Sequence, residues 1–225
     1  MEKYPRIPIF SMQIGQYPYV LVYLYRRLLL KKRTFVYNGH DVEYFEHPYN
    51  RTWVNERTVE VPVIWELMRR HSPSDVLEIG NVISHYFQFG HTVVDKYEKG
   101  RGTIQQDVVD LALPKRYPLI VTISTLEHVG WDETPRTPGK HRQALDALKR
   151  HLTPGGLLVA TLPIGYNPDL DKDLFEGSLG FDEVHYFRRI TNETWRQAGA
   201  DEVRDSKYGT PYRASNALAI GFLHN

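Results

Sequence analysis

The chain predicts an α/β fold built on a doubly wound, mostly parallel sheet, with an N-terminal helical and hairpin extension. Two observations lead there. From Asp75 onward, short apolar runs alternate with amphipathic stretches, at the spacing of strands separated by crossover helices. The run Val76-Leu77-Glu78-Ile79-Gly80-Asn81-Val82-Ile83-Ser84 also reads as a buried strand entering a tight turn. In an open α/β sheet that is where a nucleotide-sized site begins.

The elements follow in order. Tyr17 to Leu30 is apolar, but Arg26 and Arg27 interrupt it, and it falls short of the ~20 residues that span a bilayer. It predicts an amphipathic helix packed on the domain. No small-residue cleavage site follows it, which argues against a signal peptide. The first fifty residues are rich in tyrosine, from Tyr4 to Tyr49, and Thr34–Phe45 predicts a hairpin turning at Asn38-Gly39. Glu56–His71 predicts a helix with Val59, Val63, Leu67 and Met68 on one face, stopped at Ser72-Pro73. Strands are expected at Val76–Ile79, Thr92–Asp95, Leu119–Ser124, Leu157–Leu162, Glu183–Ile190 and Asn216–Leu223. Helices are expected at Thr137–His151 and Asn192–Ala198. Residues 1–55 are taken as the extension and 56–225 as the α/β domain.

At 225 residues the chain can bury a full core, and its 41% hydrophobic and 24% charged residues are ordinary for a globular protein. A net charge of +1 provides no global field to recruit nucleic acid or an anionic membrane. The basic clusters Lys31-Lys32-Arg33 and Arg69-Arg70-His71 are balanced by acids elsewhere, with no aromatic-basic signature of an RNA-binding fold. Cysteine is absent, which rules out disulfides and thiolate metal sites and suits a cytoplasmic location.

A dinucleotide fingerprint starting at Gly80 would need glycine where Val82 and His85 stand, and no Walker-type phosphate loop is present. The pattern instead resembles the class I S-adenosylmethionine-dependent methyltransferases, which have a Rossmann-like sheet. The resemblance lies in Glu78 and Gly80 of the first motif, Asp95 closing the second strand, Gln105-Gln-Asp107-Val108, Ser124-Thr-Leu-Glu-His-Val129 and Leu152-Thr-Pro-Gly-Gly-Leu157. It covers roughly residues 56 to 223. It implies S-adenosylmethionine as cofactor, with Glu78, Gly80, Asn81 and Ser124 around it. Asp95 is then expected on the ribose hydroxyls and Asp107 and Val108 near adenine. A carboxylate at a strand end suits a ribose diol, because charge-assisted hydrogen bonds are roughly twice as strong as neutral ones. Val82 and Ser84 replace two glycines of the family turn. Asn55, Arg57 and Tyr49 are therefore candidates to hold the methionine carboxylate.

For the acceptor, Glu127 and His128 follow the fourth strand of the domain, at the sheet edge where ligands bind. His128 is the candidate base, with Glu127 and Asp132 assisting. Related small-RNA 2′-O-methyltransferases bind magnesium through Glu-x-x-Glu-His, so the resemblance also implies Glu127 and His128 as metal ligands, although Ser124 stands where the first Glu would be. In that case Asp132, Tyr166 or His141 would serve the proton. Trp131-Asp132-Glu133 and Gly165-Tyr-Asn-Pro168 offer aromatic faces and hydrogen-bonding groups, a mixture that sugars require. The extension is expected to complete this acceptor pocket or to form a homodimer interface. VLEIGNVISHY, HTVVD, STLEHVGWDE and TLPIGYNP together look like a small bacterial group that includes the mycobacterial 1-O-methyltransferase of methylmannose polysaccharide synthesis. That likeness implies O-methylation of a sugar or oligosaccharide hydroxyl, on a short methylated mannoside. A small-molecule N- or C-methyltransferase and a non-catalytic relative of the fold are the competing readings.

Overall fold

A computed structural model describes residues 17–30, 32–100 and 102–225. The first sixteen residues of the extension, Tyr4 among them, and Lys31 lie outside the described residues. Helix α1 (Tyr17–Leu29) leads into the hairpin β1 (Thr34–Tyr37) and β2 (His40–Glu43). Asn38 and Gly39 turn it at φ +50° and +77°, as an Asn-Gly pair favours. After α2 (Arg57–Met68) come β3 (Val76–Ile79), β4 (Thr92–Asp95), β5 (Thr103–Gln105) and β6 (Tyr117–Ile123). The chain continues through α3 (Lys140–Arg150), β7 (Leu152–Pro163), α4 (Pro168–Phe175), β8 (Glu183–Thr191), β9 (Thr194–Ala198), the short α5 (Ala200–Val203) and β10 (Ala217–His224).

Eight strands form one sheet in the order β5-β4-β3-β6-β7-β10-β8-β9. The five strands from β5 to β7 run parallel, while β10 is antiparallel to both β7 and β8. The chain moves outward from β3 through β4 to β5, then returns to the other side of β3 at β6. The topological switch point therefore lies between β3 and β6, and their carboxyl ends define the crevice where open α/β sheets hold ligands.

Both faces of the sheet are covered. Leu77, Ile79 and Ile120 point to one face, against Leu145 and Leu148 of α3 and Leu170 of α4. Val76, Leu119 and Val121 point to the other, against α2 and the aromatic cluster Phe35, Tyr44, Phe45 and Phe87. Helix α2 is buried nearly all round rather than along one stripe. Its interior Pro62 cannot donate to the Thr58 carbonyl, and the Phe45 N–H takes that acceptor at 3.0 Å. The hairpin segment is thus bonded into the core.

One expectation is corrected. Residues 192–198 are not helical: Thr194–Ala198 is strand β9, paired antiparallel with β8. The Trp195 N–H donates to the Tyr44 hydroxyl at 2.7 Å, and that hydroxyl donates back to the Trp195 carbonyl at 3.0 Å. This clamp on extended backbone overrides a short helical pattern. Helix α1 packs on the domain through a polar anchor. Its inward face carries Val20 and Arg26, which bridges Glu46 at 2.7 Å and Glu193 at 2.9 Å, while Leu21, Leu28 and Leu29 face outward. The connection from β3 to β4 also lacks an α-helix and contains a single 3-10 turn at Ile83–His85.

Candidate functional site

The switch turn is built on the Glu78 carboxylate. One oxygen accepts the N–H groups of Val82 at 3.0 Å and Ile83 at 2.7 Å, and the other lies 2.7 Å from Nε2 of His91. Glu78 is fully buried, so it acts on the turn from beneath. Gly80 alone carries the left-handed conformation, at φ +81°, and its N–H donates to Val94 at 2.9 Å. Val82 sits at φ −111°. A β-branched residue is therefore tolerated where the family motif has glycine, because the turn asks for positive φ only once.

The acids expected at the cofactor edge lie along the ends of β4 and β5. Asp95 accepts the N–H groups of Asn81, Tyr97 and Glu98 at 3.0, 2.8 and 2.7 Å, tying the switch turn to the loop after β4. The Asn81 side-chain amide donates to Glu98 at 2.8 Å and its oxygen accepts from Ser84. Asp107 precedes a 3-10 turn and pairs with Lys140 at 2.7 Å and Lys96 at 2.8 Å. Burial opposes ionisation of Asp107, but Lys140 and Lys96 hold its carboxyl down at about 2. Val108 next to it is buried.

Behind the turn lies a buried polar group that the sequence reading missed in part. Glu60 of α2 is fully buried and accepts from the Thr161 hydroxyl at 2.7 Å, from the Ser124 hydroxyl and from the Arg57 guanidinium. Ser124 follows the last residue of β6, at φ +42°. Glu60 therefore joins α2, β6 and β7 at the switch point and brings Arg57 there. A single carboxylate inside the apolar run Val59 to Trp65 was the available signal. Asn55 caps the Arg57 N–H at 3.0 Å and donates to the Asn50 carbonyl at 2.8 Å, so it shapes the backbone. Tyr49 stacks on His85 at 4.8 Å.

Glu127 is 1% exposed. Burial, reinforced by Glu60 and Glu56, pushes its carboxyl well above the usual range, and its Oε2 has no hydrogen-bond partner among the described residues. Oε1 lies 3.6 Å from Nε2 of His128. The other ring nitrogen of His128 is 2.6 Å from Asp132 Oδ2, which also accepts from the Tyr166 hydroxyl at 2.7 Å. Burial opposes ionisation of Asp132, yet the hydrogen bonds from Tyr166 and His128 keep its carboxyl below the ordinary value. The Tyr166 ring meets His128 edge-on at 4.7 Å. This geometry places the proton on Nδ1 and leaves Nε2 as an acceptor. His141 is buried and bonded to Asp173 at 2.7 Å.

The donor set does not fit a metal ion. Glu127 and His128 offer only two ligands on the Nε2 side of the ring, and no group of three or more metal-binding side chains occurs among the described residues. The sheet edge offers a single glycine turn, a row of carboxylates and, paired with Glu60 at the switch point, an Arg57 side chain that is 14% exposed.

No family model matches the chain, and no curated protein matches it. Solved structures with a similar chain path include the N-methyltransferase NodS from Bradyrhizobium japonicum with S-adenosyl-L-homocysteine, at 12% identity over 76% of this chain and 87% of that one, with a TM-score of 0.46. The glycopeptide N-methyltransferase MtfA with S-adenosylmethionine is 14% identical over 72% and 85%, at 0.40. An amino pentose methyltransferase from Micromonospora echinaspora is 16% identical over 54% and 58%, at 0.32. These likenesses are loose, and the fold assignment stands on the strand order. Among the described residues no helix is long and apolar enough to cross a membrane.

Proposed function

We propose that the chain is an S-adenosylmethionine-dependent O-methyltransferase whose acceptor is a sugar hydroxyl. The observation that carries this reading is the His128–Asp132 pair at the carboxyl end of β6, beside the Gly80 turn. An amine acceptor needs little help with its proton, whereas an alcohol needs a base, and an imidazole fixed by a carboxylate supplies one. Arg57 would take the cofactor carboxylate, the loop after β4 its ribose, and Asp107 and Val108 its adenine edge. When bound, S-adenosylmethionine supplies an electrophilic methyl group on a sulfonium centre.

His128 takes the acceptor hydroxyl proton at Nε2 as the oxygen bonds to the methyl carbon. No residue of this chain is needed to protonate the leaving group, a neutral thioether that keeps the carbon–sulfur electron pair. Asp132 fixes the ring and offsets the imidazolium charge. Tyr166 holds Asp132 from the other side, and burial together with Asp132 raises its own phenol, so it remains a donor. Trp131, with the Arg136 guanidinium 3.9 Å from its ring centre, borders the same loop and would frame the acceptor. From the N-terminal extension, Tyr49 reaches the switch turn through His85. A short methylated mannoside is the first acceptor to try.

The test is transfer of labelled methyl from S-adenosylmethionine to a panel of sugars, with and without EDTA. Transfer to hydroxyls that survives EDTA and falls roughly 10²-fold or more in His128→Asn supports the reading. Transfer only to amines or carbon acceptors, or equal rates in His128→Asn, overturns it.

A further inference from the structure

We propose that Glu98, rather than Asp95, receives the pair of ribose hydroxyls of the adenosyl ligand. This rests on the cofactor reading above. A carboxylate offers about four lone-pair positions. Asp95 has filled three of them with the backbone N–H groups of Asn81, Tyr97 and Glu98. One position remains, and a vicinal diol donating both of its protons needs two.

Glu98 meets that need. It receives the Asn81 amide at 2.8 Å and Nε2 of His85, which lies 3.0 Å from one oxygen and 3.2 Å from the other. Two donors leave about two positions open. Its side chain is 40% exposed, so those positions are within reach of a ligand. Placement agrees. Asn81 belongs to the switch turn, and the loop carrying Glu98 folds over it closely enough that a Cβ on Gly100 would lie 3.6 Å from the same Asn81 amide nitrogen. His85, stacked on Tyr49, also anchors the carboxylate. Asp95 is then a positioning residue, capping the loop and fastening it to the turn, while Glu98 touches the ligand.

The experiment is calorimetric titration of S-adenosylhomocysteine into the full chain, for the wild type, Glu98→Gln and Asp95→Asn, with a thermal unfolding curve for each. Competition by adenosine and by 2′-deoxyadenosine is measured alongside. Glu98→Gln should weaken S-adenosylhomocysteine about tenfold or more, as loss of a charge-assisted hydrogen bond requires, and should abolish the preference for adenosine over its deoxy form. Its unfolding midpoint should match the wild type. Asp95→Asn should lower the midpoint and keep the preference. Wild-type affinity in Glu98→Gln, or loss of the preference in Asp95→Asn alone, overturns the assignment. A wild type that binds no S-adenosylhomocysteine overturns the cofactor reading and this assignment with it.

Discussion

Gly80→Ala probes the turn on which the site depends. At φ +81° an L-residue is strained by roughly 1–2 kcal/mol. A Cβ would also overlap Thr125 Oγ1, with Cγ2 and Cβ of Thr125 at 3.0 and 3.1 Å. Thr125 cannot turn aside freely, because its hydroxyl donates to the Ile123 carbonyl at 3.0 Å. Overpacking of this kind costs about 1–3 kcal/mol, and the stiffer unfolded chain of alanine returns roughly 0.4–1 kcal/mol. The net loss should be about 2–4 kcal/mol in urea unfolding, with an unchanged denaturant slope. Thr125→Ala removes the hydroxyl and the methyl, so in that background the same substitution should cost roughly 1 kcal/mol less. The backbone part should persist. A loss below about 0.5 kcal/mol, or an equal loss in both backgrounds, would refute this picture of the turn, since a site away from any such feature shows changes no larger than that.

The other predictions concern the groups around it. Asp132→Asn should lower kcat for methyl transfer by roughly 10²-fold with little change in KM, because it disturbs only the orientation and charge of His128. Glu60→Ala should destabilise by about 3–5 kcal/mol, as breaking a buried ion pair does, and by clearly less in an Arg57→Met background; chemical denaturation of the four proteins measures the coupling. Asp171 is pushed up from 3.8 to about 6, chiefly by burial, against one hydrogen bond from the Gly165 N–H. A raised folded pKa gives stability that is full below 3.8 and lost as pH rises through about 6. Unfolding measured at pH 4 and pH 8 should therefore show a loss on the order of 2–3 kcal/mol at the higher pH that Asp171→Asn lacks.

The fold was legible where burial and pattern coincide. Val76–Ile79 and Thr92–Asp95 lie at their expected bounds, because short apolar runs in mid-sheet leave little choice of register. Thr194–Ala198 pairs with β8 across the tight turn at Asn192-Glu193, and the Tyr44 clamp that holds it extended comes from some 150 residues away, which no local pattern carries. The site was partly legible. Strand-end position and the family resemblance singled out Asp95, Glu127 and His128 as candidates, whereas Glu60 and Glu98 stand out only through what they accept in three dimensions. The lost glycines looked like damage to the turn. The Glu78 carboxylate bonding two successive N–H groups explains how the turn stands with one glycine.

The central claim is that the crevice between β3 and β6 holds an adenosyl cofactor with its methionine end at Arg57. A crystal structure of the complex with S-adenosylhomocysteine tests it most directly. The account predicts the ligand across the carboxyl ends of β3 and β4, its ribose at the loop after Asp95 and its carboxylate on Arg57. A ligand bound elsewhere, or a crevice left empty at saturating ligand, would contradict it.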